Sequence, residues 1–217
     1  MSNADHAEAR MPQQPRRSDG EKTRLQLLAA GRRAFSRKGV VATNLREDIL
    51  QPAGVAPGSF YHQFKDKTDL LIAILDEHAV SFRRRLSEVV VLGPGSSFED
   101  IARRAYEFVF AVADSEGELL RIQHYERRSA DERIAGYLAE NLELWIQTLT
   151  RAYERLAPGF SGEIDGRLAA ELIVKLGLVV VDDYLDLPGP RSRSGSFRGK
   201  AVSILVTRDA SMTGRLD

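Results

Sequence analysis

The stretch PAGVAPGSFYHQFKDK, Pro52 to Lys67, decides the fold. Two prolines and two glycines interrupt it, yet helical patterning lies on both sides. Pro52 lacks an N–H and disfavours continuation of the element before it. Gly54 can supply the positive φ of a tight turn, and Pro57 suits the first position of a new helix. The stretch therefore reads as the end of one short helix, a turn of about four residues, and a second short helix from Pro57 to about Phe64. That is a helix-turn-helix. In such a unit the first helix lies across a phosphate backbone and the second enters the major groove. Val55 and Phe60 are the expected apolar anchors, with Phe64 holding down the far end. Gly58, Ser59, Tyr61, His62 and Gln63 are left to face outward.

Working outward, Ser18 and Glu21 have capping-box spacing. Leu25, Leu28, Ala29 and Phe35 then form the expected stripe of a first helix, which Gly39 stops. Asn44 and Glu47 repeat the capping-box spacing before Leu45, Ile49 and Leu50, giving a short second helix. Asp66 is positioned to cap a fourth helix, whose stripe is Leu70, Leu71, Ile74, Leu75 and His78 and which runs to about Val90. Lys67 sits in the first turn of that helix, where positive partial charge makes a lysine unfavourable unless an anion is shared there. A nucleic-acid phosphate is the expected anion.

Beyond LGPGSS (92–97) the chain reads as long helices: Phe98 to Ala113, Glu116 to Ser129, Asp131 to Leu156 and Ile164 to Leu185. Val179-Val180-Val181 has strand propensity, but the length without a breaker favours a helix. LPGPRSRSGS (187–196) reads as a linker and about 197–208 as a last helix. The expected fold is all-α: an N-terminal three-helix helix-turn-helix domain followed by a larger C-terminal helical bundle. The expected divisions are a disordered tail at 1–18, the DNA-binding domain at 19–66, and a ligand-binding and dimerisation domain at 67–217.

Composition is compatible with this. The 217 residues are 43% hydrophobic and 29% charged, an ordinary soluble balance. Net charge is zero but unevenly spread: residues 1–70 hold 12 Lys+Arg against 8 Asp+Glu, and residues 71–217 hold 19 against 23. A basic first third suits contact with nucleic acid. Cysteine is absent, so disulfides and thiolate metal sites are excluded. No apolar run approaches the ~20 residues of a membrane span, and the start of the chain has no apolar signal core. A cytoplasmic protein without membrane contact or cofactor is expected. Four scattered histidines, with no HExxH, Gly-rich phosphate loop or nucleophile elbow, argue against an enzyme.

The segment ATNLREDILQPAGVAPGSFYHQFKDKTDLLIAIL resembles the DNA-binding domain of the TetR (tetracycline-repressor) family of bacterial regulators. The resemblance covers roughly residues 20–75. It rests on Phe35…Gly39, Asp48-Ile49, Ala53-Gly54-Val55, Gly58-Ser59-Phe60-Tyr61, Phe64, Lys67 and Leu70-Leu71. It implies a homodimer that binds a palindromic double-stranded operator, usually as a repressor. A small, mainly hydrophobic ligand in the C-terminal bundle would release it. It also implies that Tyr61 and Lys67 contact phosphates, with Thr43 or Asn44 doing so at the start of the second helix. Gly58, Ser59, His62 and Gln63 would lie nearest the bases or flanking backbone, and Arg46 is a further contact.

Three features depart from the family pattern. Ala56 stands where Ser or Thr often caps the recognition helix, Leu50 replaces a small Ala, and Thr43 to Asp48 is one residue longer than usual. In the bundle, Tyr106, Phe110, His124, Tyr125 and Trp145 are the expected pocket residues, although aromatics at helical spacing also serve as core. The apolar helix 164–185 and the helix after the linker are the expected dimer surface. The alternatives are a helix-turn-helix regulator without a small-molecule effector and an all-helical enzyme.

Overall fold

The structure, a computed structural model, describes residues 19–91, 93, 96–156 and 165–186. The expected tail at 1–18, the 187–196 linker and the final helix at 197–208 lie outside the described residues, as does Ser18 of the first capping box. Seven helices are described. They are α1 (Asp19–Ala42), α2 (Leu45–Leu50 wound as a π-helix, then Gln51–Ala53 as an α turn), α3 (Pro57–Gln63), α4 (Lys67–Val89), α5 (Phe98–Glu126), α6 (Glu132–Leu156) and α7 (Gly166–Asp186). The expected all-α fold is what forms, and Val179-Val180-Val181 is helical.

The first four helices enclose one apolar cluster. Leu27, Leu28, Phe35, Ile49, Phe60, Phe64, Leu70 and Leu71 are buried in it. The stripe of α1 is rotated from the expected one: Leu27, Leu28, Ala30, Ala34 and Phe35 face inward, whereas Leu25 and Ala29 are exposed. Leu119 and Ile122 of α5 and Ile134 of α6 complete the same cluster, so the bundle closes the base of the head. The second cluster lies among α4, α5, α6 and α7, with Phe82, Tyr106, Phe110, Trp145, Leu149 and Tyr184 at its centre. Helix α4 contributes to both clusters.

Helix α5 joins the two expected helices, 98–113 and 116–129. The boundary survives as a kink at Glu116 (φ −131°, ψ 29°). At its start Ser97 and Asp100 form a reciprocal capping box. Gly39 likewise appears as a break inside α1, with φ 72° and ψ 174°, backbone that a side chain would strain.

Candidate nucleic-acid interface and ligand cavity

Helix α3 begins as its sequence dictates. Pro57 occupies the first turn and Ala56 precedes it in extended conformation, without a side-chain cap. The amides of Ser59 and Phe60 bond to the Ala56 carbonyl at 3.0 and 3.2 Å. A Ser or Thr at 56 would satisfy one more amide, typically worth about 1 kcal/mol. Gly54 caps α2 with φ 64° and turns the chain.

The segment then divides its side chains. Phe60 is fully buried, packed edge-on against Tyr61 at 5.2 Å and tilted against Phe64 at 5.9 Å. The Arg24 guanidinium lies 4.9 Å from the centroid of the Phe64 ring. Tyr61 is 61% exposed, and Gly58 and His62 are exposed beside it. Ser59, Gln63 and the anchor Val55 are half-buried. A methyl group on Gly58 would meet nothing within 4 Å, so the fold itself does not require a glycine there.

The start of α2 departs from expectation. Asn44 is its cap, its Oδ1 accepting the amides of Arg46 at 2.9 Å and Glu47 at 3.1 Å. The reciprocal acid is Asp48, not Glu47: the Asn44 amide donates to Asp48 Oδ2 at 2.7 Å. The extra residue between Thr43 and Asp48 is the cause. A π-wound turn takes in one more residue than an α turn, and the Gln51 amide accordingly bonds back to the Arg46 carbonyl. Lys38 also reaches Asp48 Oδ2 at 2.7 Å. This lysine, with the Asn44 amide, holds the Asp48 carboxyl below the usual carboxylate range. Arg46 is exposed.

Two expected phosphate contacts are turned inward. Thr43 is buried, and its hydroxyl donates to the Gly39 carbonyl at 2.6 Å. The Lys67 ammonium donates to the carbonyls of Val40 at 2.8 Å and Thr43 at 2.6 Å. In place of an anion, Lys67 meets carbonyl oxygens at and just beyond the negative end of α1. The preceding peptide is held by the bundle: the Val40 amide donates to Glu126 Oε1 at 2.7 Å in a buried position. The segment Gly39–Thr43, which leads into α2, is therefore gripped from α4 and α5. Asp48, Lys38 and Glu126 were not visible as site residues in the sequence. Only the one-residue lengthening before Asp48 hinted at the first two.

Other contacts bind the head to the bundle. Thr68 donates to Asp131 Oδ2 at 2.7 Å, Arg133 pairs with Asp66 at 2.8 Å, and Arg32 pairs with Glu118 at 2.9 Å. The buried His78 faces Glu116 at the α5 kink, 2.8 Å from Nδ1 to Oε2, and Arg85 approaches the same carboxylate at 2.6 Å. Burial holds the His78 imidazole below its usual pKa, against the opposing pull of Glu116.

The bundle holds a cavity of about 50 Å³ bordered by all four of its helices. Phe82 and Leu86 come from α4, Tyr106, Val109 and Leu120 from α5, Trp145 and Leu149 from α6, and Ile173, Gly177 and Val181 from α7. Of the five expected pocket residues, Tyr106 and Trp145 line it. Phe110 is instead buried against Tyr184 at 5.1 Å. His124 and Tyr125 lie on an exposed turn of α5, where His124 pairs with Asp182 at 3.0 Å. They lie about one turn further along α5 than Leu120, the last residue of that helix to line the cavity. The Tyr106 hydroxyl donates to the Ile173 carbonyl at 3.2 Å, and burial raises its pKa, so the phenol stays neutral. Among the described residues no cluster of His, Asp or Glu is arranged to hold a metal, and no helix is long and apolar enough to cross a membrane.

Residues 27–74 match the family described as bacterial regulatory proteins, tetR family. The repressor NemR of Escherichia coli (strain K12) is 36% identical over 74 residues, which cover 34% of this chain and 37% of NemR. The sequence match thus spans little more than a third of that relative. The reduced form of E. coli NemR superposes with a TM-score of 0.66 at 23% identity, covering 85% of this chain and 96% of NemR. FadR from Bacillus subtilis, in complex with stearoyl-CoA, gives 0.69 at 19% identity over 84% and 97% of the two chains. AibR, in complex with isovaleryl coenzyme A and operator DNA, gives 0.67 at 17% over 86% and 98%. At these identities the structural likeness is one of fold.

Proposed function

We propose that this chain is a regulator of the TetR family, whose model its residues 27–74 match, and that it is a sequence-specific DNA-binding repressor that a small apolar ligand releases from its operator. The observation that carries the reading is the division of α3. Phe60 and Phe64 are consumed by the core, while Gly58, Tyr61 and His62 stand exposed on a helix too short to need them for folding. Asn44 and Arg46, exposed at the start of α2, extend the same face towards the phosphate backbone. Ser59 and Gln63 sit at its edge. Thr43 and Lys67 serve this face from behind, by fixing the segment that precedes α2.

A second copy of the chain is part of the proposal. Leu168, Leu172, Leu176 and Val179 recur at helical spacing along α7 and are all exposed. A stripe of that kind suits burial against its symmetry mate. Two heads would then meet half-sites about 34–36 Å apart, or a multiple. The apolar cavity supports the ligand part of the reading, as does AibR, a protein of this fold in complex with both an acyl-coenzyme A and operator DNA.

The deciding experiment is a footprint on the intergenic DNA beside the chain's own gene, repeated across a ligand screen. A protected palindrome that a compound releases supports the whole reading. Protection that no compound alters favours the regulator without an effector, and no protected site rejects the proposal.

A further inference from the structure

We propose that the bundle cavity takes a compact hydrocarbon group without charge or polar atoms, and that Gly177 of α7 sets the size of that group. The inference rests on the reading of the bundle as the ligand domain and adds the chemistry of the ligand and the residue that selects it. Glycine inside a helix is unfavourable relative to alanine, and the backbone of α7 does not call for one. Among the described residues, positive φ occurs at Gly39 and Gly54 only. What the position serves is the space beside it. Ile173, Val174, Leu178 and Val181 line the cavity at helical spacing around Gly177, so Gly177 lies within the face that α7 turns towards it. A glycine can line a cavity only with its backbone, so here the helix itself is the wall.

A side chain at 177 would enter that space. Among the described residues, a Cβ there would meet within 4 Å only the Tyr106 ring, at 3.2 Å from Cε1 and 3.7 Å from Cδ1. The nearer distance is tighter than an optimal carbon–carbon contact. The ring has little freedom to yield: it is buried, and its hydroxyl donates to the Ile173 carbonyl, one turn back along α7. A methyl group at 177 therefore takes its room from the cavity. There is little to take, since about 50 Å³ holds roughly three to five water-sized groups. The wall is as restrictive in chemistry as in size. No lining residue is charged, the Tyr106 hydroxyl proton is committed to Ile173, and the Trp145 indole nitrogen is sealed away. An ion placed there would lose its hydration with nothing to replace it, and an acceptor would go unpaired. Hydroxyl, amide and carbonyl groups all carry an acceptor, so the group is alkyl or aryl. It is either a free molecule or the end of a longer one whose polar part stays outside.

Trp145 lines the cavity and is the only tryptophan in the chain, so its fluorescence reports on this site alone. The test titrates the full chain with cyclopentane, with the same-sized rings tetrahydrofuran and pyrrolidinium, and with xenon, the last followed by xenon NMR. Cyclopentane is expected to bind about tenfold or more tightly than tetrahydrofuran, whose oxygen finds no donor. Pyrrolidinium, a cation, is expected not to bind. Gly177→Ala should weaken cyclopentane about tenfold or more, as one added methyl in a filled site allows. Xenon, a single atom, should keep its affinity within about twofold. Alanine is the better helix former, so a loss confined to the larger probe reads out space and not a weakened α7. If Gly177→Ala fails to fold, the comparison is made on a Tyr106→Leu background, where the ring that the methyl meets is gone and the same loss is expected.

Cyclopentylacetate separates the sources. Binding that Gly177→Ala abolishes assigns the group to the end of a longer ligand, and binding by cyclopentane alone assigns it to a free molecule. Tetrahydrofuran or pyrrolidinium binding as tightly as cyclopentane, an unchanged cyclopentane affinity in Gly177→Ala, a fall shared equally by xenon, or no binding by any probe overturns the proposal. Cyclopentane that binds with this size limit yet never releases DNA supports the inference and contradicts ligand control alone.

Discussion

The head and the bundle present their function in opposite ways. In the head, the proposed DNA-reading face is what the core leaves over: Phe60 and Phe64 are buried, and their neighbours Gly58, Tyr61 and His62 are exposed. In the bundle, the proposed ligand site is a cavity to which α4, α5, α6 and α7 each contribute a wall. A surface made by one short helix is set by spacing within a dozen residues. A cavity made by four helices depends on how residues as distant as Phe82 and Val181 pack.

The sharpest way to break that comparison lies within one helix. Phe60→Ala should cost about 3–5 kcal/mol of stability, because it empties a fully buried aromatic site. Tyr61→Ala, one residue on, should change the melting temperature little. If both variants lower the melting temperature alike, the division between core and interface is wrong.

Next in size is Lys67. Its ammonium is engaged by the Val40 and Thr43 carbonyls, and hydrogen bonds to a charged group are worth roughly 1.5–3 kcal/mol. Lys67→Met should lower head stability by about that amount and leave the salt slope of DNA binding unchanged. A slope reduced by about one unit would instead mark a direct phosphate contact. Glu126→Ala tests the neighbouring peptide, since it strands the buried amide of Val40. A loss of about 1–3 kcal/mol is expected, read as a lowered denaturation midpoint.

A smaller effect tests the missing cap. Ala56→Ser should stabilise the head by about 1 kcal/mol through a new bond to an amide of α3. Unchanged stability would mean that this amide is already satisfied.

The smallest effect concerns pH at the joint between the two regions. Burial lowers the folded pKa of His78 below the ordinary 6.5. The unfolded chain then binds more protons than the folded one in that window, so stability rises with pH there. Melting temperature should fall as pH drops from above 6.5 through the lowered value, and His78→Asn should flatten that dependence. An equally steep fall in the variant would place the titration elsewhere.

How much of this was legible follows from the same contrast. The turn residue Gly54, Pro57 at the start of α3, the cap Asp66 and the stripe from Leu70 to His78 act locally, and the structure places each as its chemistry dictates. Pro52 does not end α2, which runs through it as far as Ala53, because a proline is tolerated in the first turn of the α segment that follows the π-wound one. The exposure of Gly58, Tyr61 and His62 was readable from local spacing, whereas Ser59 and Gln63, also expected to face outward, are half-buried. The roles of Thr43 and Lys67 were not, because the carbonyls that Lys67 engages lie 24 and 27 residues before it. Glu126 meets Val40 across 86 residues. In the bundle, aromatic character singled out Tyr106 and Trp145, which line the cavity. It also singled out Phe110, His124 and Tyr125, because residue type does not reveal which part of α5 borders the space. The aliphatic majority of the lining, such as Leu149 and Val181, carries no mark in the sequence that separates it from ordinary core.

The central claim is that the exposed face of α3 reads DNA while its buried face only holds the helix. Fluorescence anisotropy with the footprinted operator, comparing the unaltered chain with Tyr61→Ala at fixed salt, tests it most directly. The account predicts a variant that melts with the parent yet binds about tenfold or more weakly, on the order of 1–3 kcal/mol. Equal affinity for the operator at an unchanged melting temperature would contradict it.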